Sequence, residues 1–310
     1  MGLSRSILLA MSESPWLREN APKLGFVKRA VKRFMPGEDV AAALQATREL
    51  APRRIGTVLT QLGENLTEPQ QADAVREHYI GVYRQAKAEG LDIEISVKPT
   101  QLGLDFSTEL CEKNLTALAE CAQQVGNWLW IDMEGTAYVD RTLDVYRRLR
   151  ARFPHTGVCV QAYLYRTVDD LRALIPLGAH IRLVKGAYRE PPDKAYPKKR
   201  DVDANYFSLA KLLLGDEARR KGVRAIFGTH DAALIRRIED FARDSGVPRE
   251  KLEFQMLYGI QRAEQERLAA SGSPFRVLIS YGSAWYAWYM RRLAERPANV
   301  WFFLSNFFRR

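Results

Sequence analysis

Two adjacent arginines near the C-terminus, Arg291 and Arg292, are the residues of this sequence best suited to binding a small anion. Consecutive side chains on a helix project about 100° apart, so two guanidinium groups can hold one carboxylate from two sides through paired hydrogen bonds. Glu295 follows at the spacing of one helical turn and can hold one guanidinium in place. The pattern predicts a carboxylate site; the alternative is a set of ordinary ion pairs on an exposed helix.

The chain before this helix alternates between apolar runs and amphipathic segments with the period of a helix. Eight runs predict strands, at Ile55–Leu62, Ile93–Lys98, Trp128–Met133, Val158–Tyr163, Ile181–Tyr188, Ala225–His230, Phe254–Tyr258 and Phe275–Tyr281. The segments that follow them predict helices, at Pro69–Glu89, Ser107–Val125, Arg141–Arg152, Val168–Ile175, Asp203–Arg220, Ala232–Asp244, Arg262–Ala270 and Trp285–Glu295.

This alternation predicts parallel strands covered on both faces, and eight such units are the number that closes a (β/α)8, or TIM-like, barrel. A doubly wound open sheet is the alternative, but no Gly-x-Gly-x-x-Gly pattern follows the first strand. We expect residues 1–50 to form an N-terminal helical arm, with amphipathic segments at Phe26–Phe34 and Val40–Leu50. Residues 51–299 would form the barrel and residues 300–310 an apolar C-terminal tail.

Polar side chains cluster where the predicted strands end. They are Lys98, Asp132, Glu134, Gln161, Tyr163, Arg182, Lys185, Tyr188, Thr229, His230, Gln255, Tyr258 and Tyr281. Because the carboxyl ends of barrel strands meet at one mouth, where the active sites of such barrels lie, these side chains predict a functional site there. The interpretation of each one alone as a structural ion pair stays open.

The cations at these strand ends exceed what one small carboxylate requires. Arg182 and Lys185 precede Gly186 and Ala187, and a glycine lets the backbone approach a ligand closely. This arrangement predicts a second, larger anion such as a phosphate-bearing cofactor. The sequence shows no nucleophile–His–Asp arrangement and no spacing typical of metal ligands, so we expect neither hydrolysis nor a metal site.

The composition limits the classes of partner. A net charge of +10 and a pI near 9.5 admit nucleic acid, anionic membranes or acidic ligands, but no nucleic-acid-binding motif accompanies the charge. Three cysteines without a Cys-x-x-Cys pair favour a reducing compartment with buried thiols. The sequence contains no run long and apolar enough to span a membrane, so we expect a cytoplasmic protein.

Several motifs together resemble the monofunctional proline dehydrogenases of bacteria. They are Trp130–Glu134, Arg182–Tyr188, Gly228–Asp231, Glu253–Gly259, Tyr281–Tyr286 and Arg291–Asn299, in the family's order. The resemblance implies a distorted (β/α)8 barrel that binds FAD non-covalently, with FMN the less expected flavin. It further implies oxidation of L-proline to Δ1-pyrroline-5-carboxylate, with electrons passed to a quinone.

The resemblance also implies roles for individual residues. Arg291, Arg292 and Lys98 would bind the proline carboxylate, with Asp132 supporting Lys98 and Glu295 bracing the arginine pair. The residues implied to line the pocket or the flavin edge are Tyr188, Leu257 and Tyr258. Those implied to contact the flavin or its phosphates are Gln161, Arg182, Lys185, Gly186, Ala187, Thr229 and His230.

Two positions depart from the family, which has tyrosines where this chain has Leu278 and Trp288. The departures leave room for a proline analogue such as hydroxyproline. A relative of methylenetetrahydrofolate reductase and a basic barrel scaffold without catalysis also stay open. The tail of residues 300–310 is expected to cover the barrel or to contact the inner face of the cell membrane, and the oligomeric state stays open.

Overall fold

A closed barrel of eight parallel strands forms the core of the computed structural model, which describes residues 31–63, 66–286 and 289–290. Each strand pairs with the next along the chain, and the last pairs with the first. The strands are β1 Gly56–Gln61, β2 Ile93–Val97, β3 Leu129–Ile131, β4 Thr156–Gln161, β5 His180–Val184, β6 Ala225–Gly228, β7 Glu253–Leu257 and β8 Phe275–Tyr281. All eight predicted strands and the predicted barrel are confirmed.

One helix precedes the first strand, and the others follow β1 to β7 and cover the outside of the barrel. They are α1 Val40–Leu50, α2 Pro69–Ala88, α3 Thr108–Val125, α4 Val139–Arg152, α5 Thr167–Leu174, α6 Lys199–Leu214, α7 Asp216–Arg220, α8 Ala232–Asp244 and α9 Arg262–Ala270. Short 3-10 turns occur at Ala51–Arg53, Pro99–Leu102, Thr136–Tyr138, Ile175–Leu177 and Arg249–Lys251. Of the predicted helix Trp285–Glu295, only residues 285, 286, 289 and 290 are described.

Two predicted elements have a boundary that differs from the structure by more than two residues. The predicted helix Asp203–Arg220 is two helices, because Gly215 takes an extended conformation between α6 and α7. The predicted strand Ile181–Tyr188 ends at Val184, and Gly186 then adopts a φ of 111°, a left-handed conformation that side chains disfavour. Lys185, Gly186, Ala187 and Tyr188 therefore lie in the loop that follows β5.

The described part of the N-terminal arm packs against the barrel. Asp39 caps α1 by accepting a hydrogen bond from the Ala42 amide at 2.8 Å, and the hydroxyls of Thr47 and Thr57 lie 3.0 Å apart, which joins α1 to β1. Residue 33 approaches Gly259 so closely that a Cβ added to this glycine would lie 1.7 Å from the Arg33 carbonyl oxygen. Of Phe26–Phe34, only residues 31–34 are described.

The interior of the barrel contains a buried ion network at the N-terminal ends of the strands. The network, called the barrel floor below, consists of Glu94, Arg224, Glu253 and Arg276. Arg224 contacts both carboxylates, at 2.7 Å for Glu94 and 2.8 Å for Glu253, and the Arg276 Nε lies 3.1 Å from Glu94. Burial raises the pKa of Glu253. Burial acts on Glu94 in the same direction, but the two arginines outweigh it and hold the pKa of Glu94 below the usual value.

His180, at the start of β5, lies beside this floor and predicts acid sensitivity. Burial, with Arg150 and Arg224 nearby, lowers its pKa from 6.5 to about 3. Below about pH 6.5 the His180 imidazole binds a proton in the unfolded chain, whereas in the folded chain it stays neutral down to about pH 3. The free energy of unfolding therefore falls as the pH falls through this range. Between pH 7 and pH 4.5, the free energy of unfolding of His180→Gln is expected to fall by about 2 kcal/mol less than that of the unmodified protein.

Urea unfolding at the two pH values measures this difference. Comparison within each protein removes the packing cost of the substitution itself, since that cost is present at both pH values. Equal losses of stability in the two proteins would contradict the assignment of the acid sensitivity to His180.

Candidate functional site

Arg182 is the centre of the polar cluster at the other end of the barrel. It lies on β5 with its side chain 3% exposed, and it donates hydrogen bonds to Asp132 and, at 2.7 Å, to the Ser96 hydroxyl. The Gln255 side-chain oxygen accepts a third bond at 3.4 Å. A guanidinium buried to this extent needs a counterion, and Asp132 supplies it.

Asp132 is shared between two cations. Its Oδ1 accepts from Arg182 and from Ser96, the latter at 2.9 Å, and its Oδ2 lies 3.9 Å from the Lys98 ammonium. The Lys98 contact is therefore an ion pair without a hydrogen bond, which leaves the ammonium donors available to a ligand. Arg182, Lys98 and Asp132 taken alone carry a net positive charge. The Glu134 carboxyl also interacts with Lys98, and burial raises the pKa of that carboxyl, which favours its uncharged form.

The loop after β5 carries a second charged cluster. Lys185 contacts Asp203 and, at 2.9 Å, Asp231, and Lys199 contacts the same two carboxylates. Although burial opposes it, the hydrogen bond from Lys185 lowers the pKa of Asp231 to about 2. This pairing removes the surplus of positive charge at Lys185 from which the sequence predicted a second, larger anion. The role of Lys185 toward a cofactor then depends on the family resemblance alone.

Three of the predicted cofactor residues, Gly186, Thr229 and His230, have positions that their neighbours fix. A Cβ added to Gly186 would lie 2.1 Å from the Tyr163 ring, so only glycine fits there. The His230 Nε2 accepts a hydrogen bond from the Leu257 amide at 2.9 Å, which ties the loop after β6 to the end of β7. Thr229 precedes His230 and is buried, and its hydroxyl accepts a hydrogen bond from the Asp231 amide at 3.2 Å.

Gln161, at the end of β4, offers a buried acceptor. Its side-chain nitrogen donates to the carbonyl oxygens of Met133 and Glu134, at 3.2 Å and 2.7 Å. Its side-chain oxygen is buried and accepts no hydrogen bond from the residues described. An orphaned buried acceptor is costly unless a ligand satisfies it, so Gln161 fits a ligand with an N–H donor, such as the flavin ring.

The structure thus brings together some of the predicted site residues. Lys98, Asp132 and Arg182 form one ion-paired group. In a second group Lys185 pairs with Asp231, which follows His230 in the chain. Ala187 and Tyr188 lie in the loop after β5, Leu257 ends β7, and Tyr258 follows it. Arg291, Arg292, Glu295 and Trp288 lie outside the described residues.

Ser96 is the residue at this site that the sequence prediction missed. It donates to Asp132 and accepts from Arg182, and thereby fixes both. A signal was present, since Ser96 and Lys98 are two residues apart near the end of β2 and must face the same side of the strand. In residues 31–63, 66–286 and 289–290, no cluster of His, Cys, Asp or Glu could hold a metal, and no helix is long and apolar enough to cross a membrane.

Comparison with known proteins agrees with the family resemblance of the sequence. The sequence model of the proline dehydrogenase family matches residues 43–304. Proline dehydrogenase 1 of Bacillus subtilis is 34% identical over 302 residues, covering 97% of this chain and 98% of that protein. Proline dehydrogenase of Deinococcus radiodurans is 34% identical over 309 residues, covering 98% of this chain and 97% of that protein.

Solved structures share the fold. Proline utilization A (PutA) of Bdellovibrio bacteriovorus, inactivated by N-propargylglycine, matches 94% of this chain with a TM-score of 0.80 and 24% identity. PutA of Corynebacterium freiburgense matches 97% of this chain with a TM-score of 0.74 and 19% identity. This chain spans 36% and 34% of those two longer chains, so the likeness covers about a third of each.

Proposed function

This chain belongs to the proline dehydrogenase family, and from that premise we propose how its site works. The chain is a flavin-dependent oxidoreductase that oxidises proline, the first step of proline catabolism. A catalytically inactive scaffold and a relative of methylenetetrahydrofolate reductase have no support, because the family relatives cover 97% of the chain.

The substrate carboxylate, in this proposal, binds to Lys98 together with Arg291 and Arg292. The observation that carries the proposal is the Asp132 carboxylate placed between Arg182 and Lys98, at 3.9 Å from the Lys98 ammonium. Asp132 orients the lysine and leaves its hydrogen-bond donors to the ligand. The arginine pair, with Glu295 bracing it, is proposed from sequence spacing and family resemblance.

The flavin is proposed to be FAD, held by Gln161 through its orphaned buried oxygen and by the loops that contain Gly186 and Thr229. A bound flavin supplies a two-electron acceptor for the hydride that leaves the proline ring carbon next to nitrogen. The contribution of the protein is positioning: the carboxylate clamp fixes which ring carbon faces the acceptor. Arg182, a buried cation paired with Asp132, would stabilise the negative charge that the flavin gains on reduction.

The wall of the pocket bears on substrate choice. Leu278 is partly buried inside the barrel and packs with Val58, Trp130 and Ile226, so it presents an apolar surface where the family has a tyrosine hydroxyl. We propose L-proline as the substrate. Hydroxyproline is the second candidate, because an aliphatic wall is smaller than a tyrosine and leaves space beside the ring.

Anaerobic titration of the purified holoenzyme tests this proposal. L-proline is expected to bleach the flavin absorbance, with hydroxyproline and pipecolate bleaching less at equal concentration. Release of the flavin by denaturation, followed by chromatography, identifies it as FAD. Failure of all three amino acids to bleach a fully loaded protein would contradict the proposal, and stronger bleaching by hydroxyproline would reassign the substrate.

Electron transfer to a quinone is the proposed second half-reaction, and membrane contact by residues 300–310 is proposed to bring the enzyme to it. Four phenylalanines, a tryptophan and a leucine precede Arg309 and Arg310, a composition suited to an anionic lipid interface. This tail lies outside the described residues.

Deletion of Trp301–Arg310 is expected to abolish sedimentation with anionic vesicles while proline still bleaches the flavin. Replacement of only Arg309 and Arg310 with glutamine serves as the charge control and should weaken the sedimentation. A truncated protein that aggregates or unfolds would identify the tail as a structural cap and contradict membrane contact.

A further inference from the structure

Trp130 lies inside the barrel close to two arginines that belong to different networks. The Arg182 Cζ lies 5.5 Å from the centre of its ring, and the Arg224 Cζ lies 5.4 Å from it. Arg182 belongs to the candidate site, whereas Arg224 belongs to the barrel floor. The indole thus contacts both networks directly.

The indole is held rigidly. It is completely buried, and its Nε1 donates a hydrogen bond to Glu94 of the barrel floor at 2.6 Å. Gly157, which is level with Trp130 on the neighbouring strand, leaves room for the ring, since a Cβ there would lie 2.3 Å from the indole Cζ3. Because Gly157 packs against the edge of the Trp130 ring and the hydrogen bond to Glu94 holds its nitrogen, the indole is fixed in one position.

A hydrogen-bonded link runs parallel to the indole. Gln255 accepts from Arg182 at 3.4 Å, and its side-chain nitrogen donates to Glu253 of the barrel floor at 3.3 Å. Arg182 therefore has Asp132 and Ser96 on one side, and is connected to the floor through Trp130 and Gln255 on the other.

We propose that Trp130, anchored by the barrel floor, is a positioning residue that sets the location of the Arg182 guanidinium. The inference rests on the proposed function in one respect, the placement of Arg182 beside the flavin. Cation–π attraction acts on the face of the ring, and the desolvated setting strengthens it. The floor thereby fixes the position of a charge at the site without contacting substrate or cofactor.

Gly157→Ala is the decisive variant, because its new methyl group must displace the indole while every charged group is retained. We expect about a tenfold smaller equilibrium constant for flavin reduction by proline, equal to a midpoint potential about 30 mV more negative for a two-electron couple. The kcat should fall, with little change in the KM for proline. Gly81→Ala is the matched control, since a Cβ at Gly81 meets nothing within 4 Å.

Trp130→Phe completes a double-variant cycle, because phenylalanine lacks the outer part of the indole that the methyl group added by Gly157→Ala would strike. We expect Gly157→Ala to shift the potential when Trp130 is present but not when it is combined with Trp130→Phe. If Trp130 only stabilises the fold, Gly157→Ala would lower the thermal unfolding midpoint and the flavin occupancy, but the potential of the flavin that remains bound would not change.

Arg182→Met separates this inference from the proposed function. If Arg182→Met makes the potential more negative and Gly157→Ala does not, the positioning role of Trp130 is wrong while the assignment of Arg182 stands. If Arg182→Met leaves the flavin potential unchanged, the assignment of Arg182 to the flavin is wrong, and the proposed role of Trp130 is then wrong as well. If Gly157→Ala shifts the flavin potential equally with and without the Trp130→Phe substitution, the positioning role of Trp130 is also wrong.

Discussion

Replacement of Arg291 or Arg292 with lysine is expected to raise the KM for proline by about 30- to 1000-fold, which corresponds to about 2–4 kcal/mol of binding energy. A lysine ammonium keeps the charge but cannot reproduce the paired hydrogen bonds of a guanidinium with a carboxylate. The other arginine of the pair and the Lys98 ammonium, which lies 3.9 Å from Asp132, would still contact the substrate carboxylate, so binding is weakened and not abolished.

Steady-state kinetics and flavin content measure the effect together. Flavin content is expected to stay normal in both variants, because the pair is proposed to bind substrate and not cofactor. Arg262→Lys on the exposed face of α9 is the control for a loss of guanidinium elsewhere. A KM for proline within about threefold of the unmodified enzyme in both variants would contradict the carboxylate site, since threefold is under about 1 kcal/mol.

The fold could be predicted from the sequence because each strand is a short apolar run buried on both sides. β1, β2 and β8 all followed their predicted runs within one residue at either end. The boundary errors have local causes: Gly215 interrupts one predicted helix, and the chain turns at Gly186 where the apolar run continues. Hydrophobic pattern alone does not contain this conformational information.

The positions of the site residues could be predicted, but not their partners. Lys98 and Asp132 each follow a strand, as predicted, whereas Arg182 lies in the middle of β5 and reaches the site through its hydrogen bond to Asp132. Asp203 and Asp231, which offset Lys185, lie 18 and 46 residues from it along the chain, and no spacing rule connects them. The pairing depends on how the loops after β5 and β6 come together.

The ion pairs of the barrel floor were also not predictable from sequence spacing. Glu94 lies within a run that was predicted as an ordinary strand, and its partner Arg224 is 130 residues away. A buried glutamate inside a closed barrel requires a cation from an opposite strand, and such a partner can be identified only once the barrel is closed. The contacts of Trp130 with Arg182 and Arg224 likewise form only when the barrel closes.

Asp132→Asn is expected to lower the free energy of unfolding by about 3 kcal/mol and to prevent flavin reduction by proline at normal rates. Arg182, with its side chain 3% exposed, would lose its counterion, and a buried charge left without a partner costs about 3–5 kcal/mol. Asparagine retains the shape of the side chain, so the loss reports the charge. Urea unfolding and anaerobic flavin reduction measure the two effects.

The double variant Asp132→Asn with Arg182→Met is the test of this explanation. It removes both members of the buried pair, so it is expected to be more stable than Asp132→Asn alone, although its flavin reduction stays impaired. Lys98→Met, which leaves the Asp132–Arg182 contact in place, should reduce proline binding with a smaller loss of stability. A double variant less stable than both single variants would mean that Asp132 and Arg182 stabilise the barrel through other contacts, and that the charge between them is not what the fold depends on.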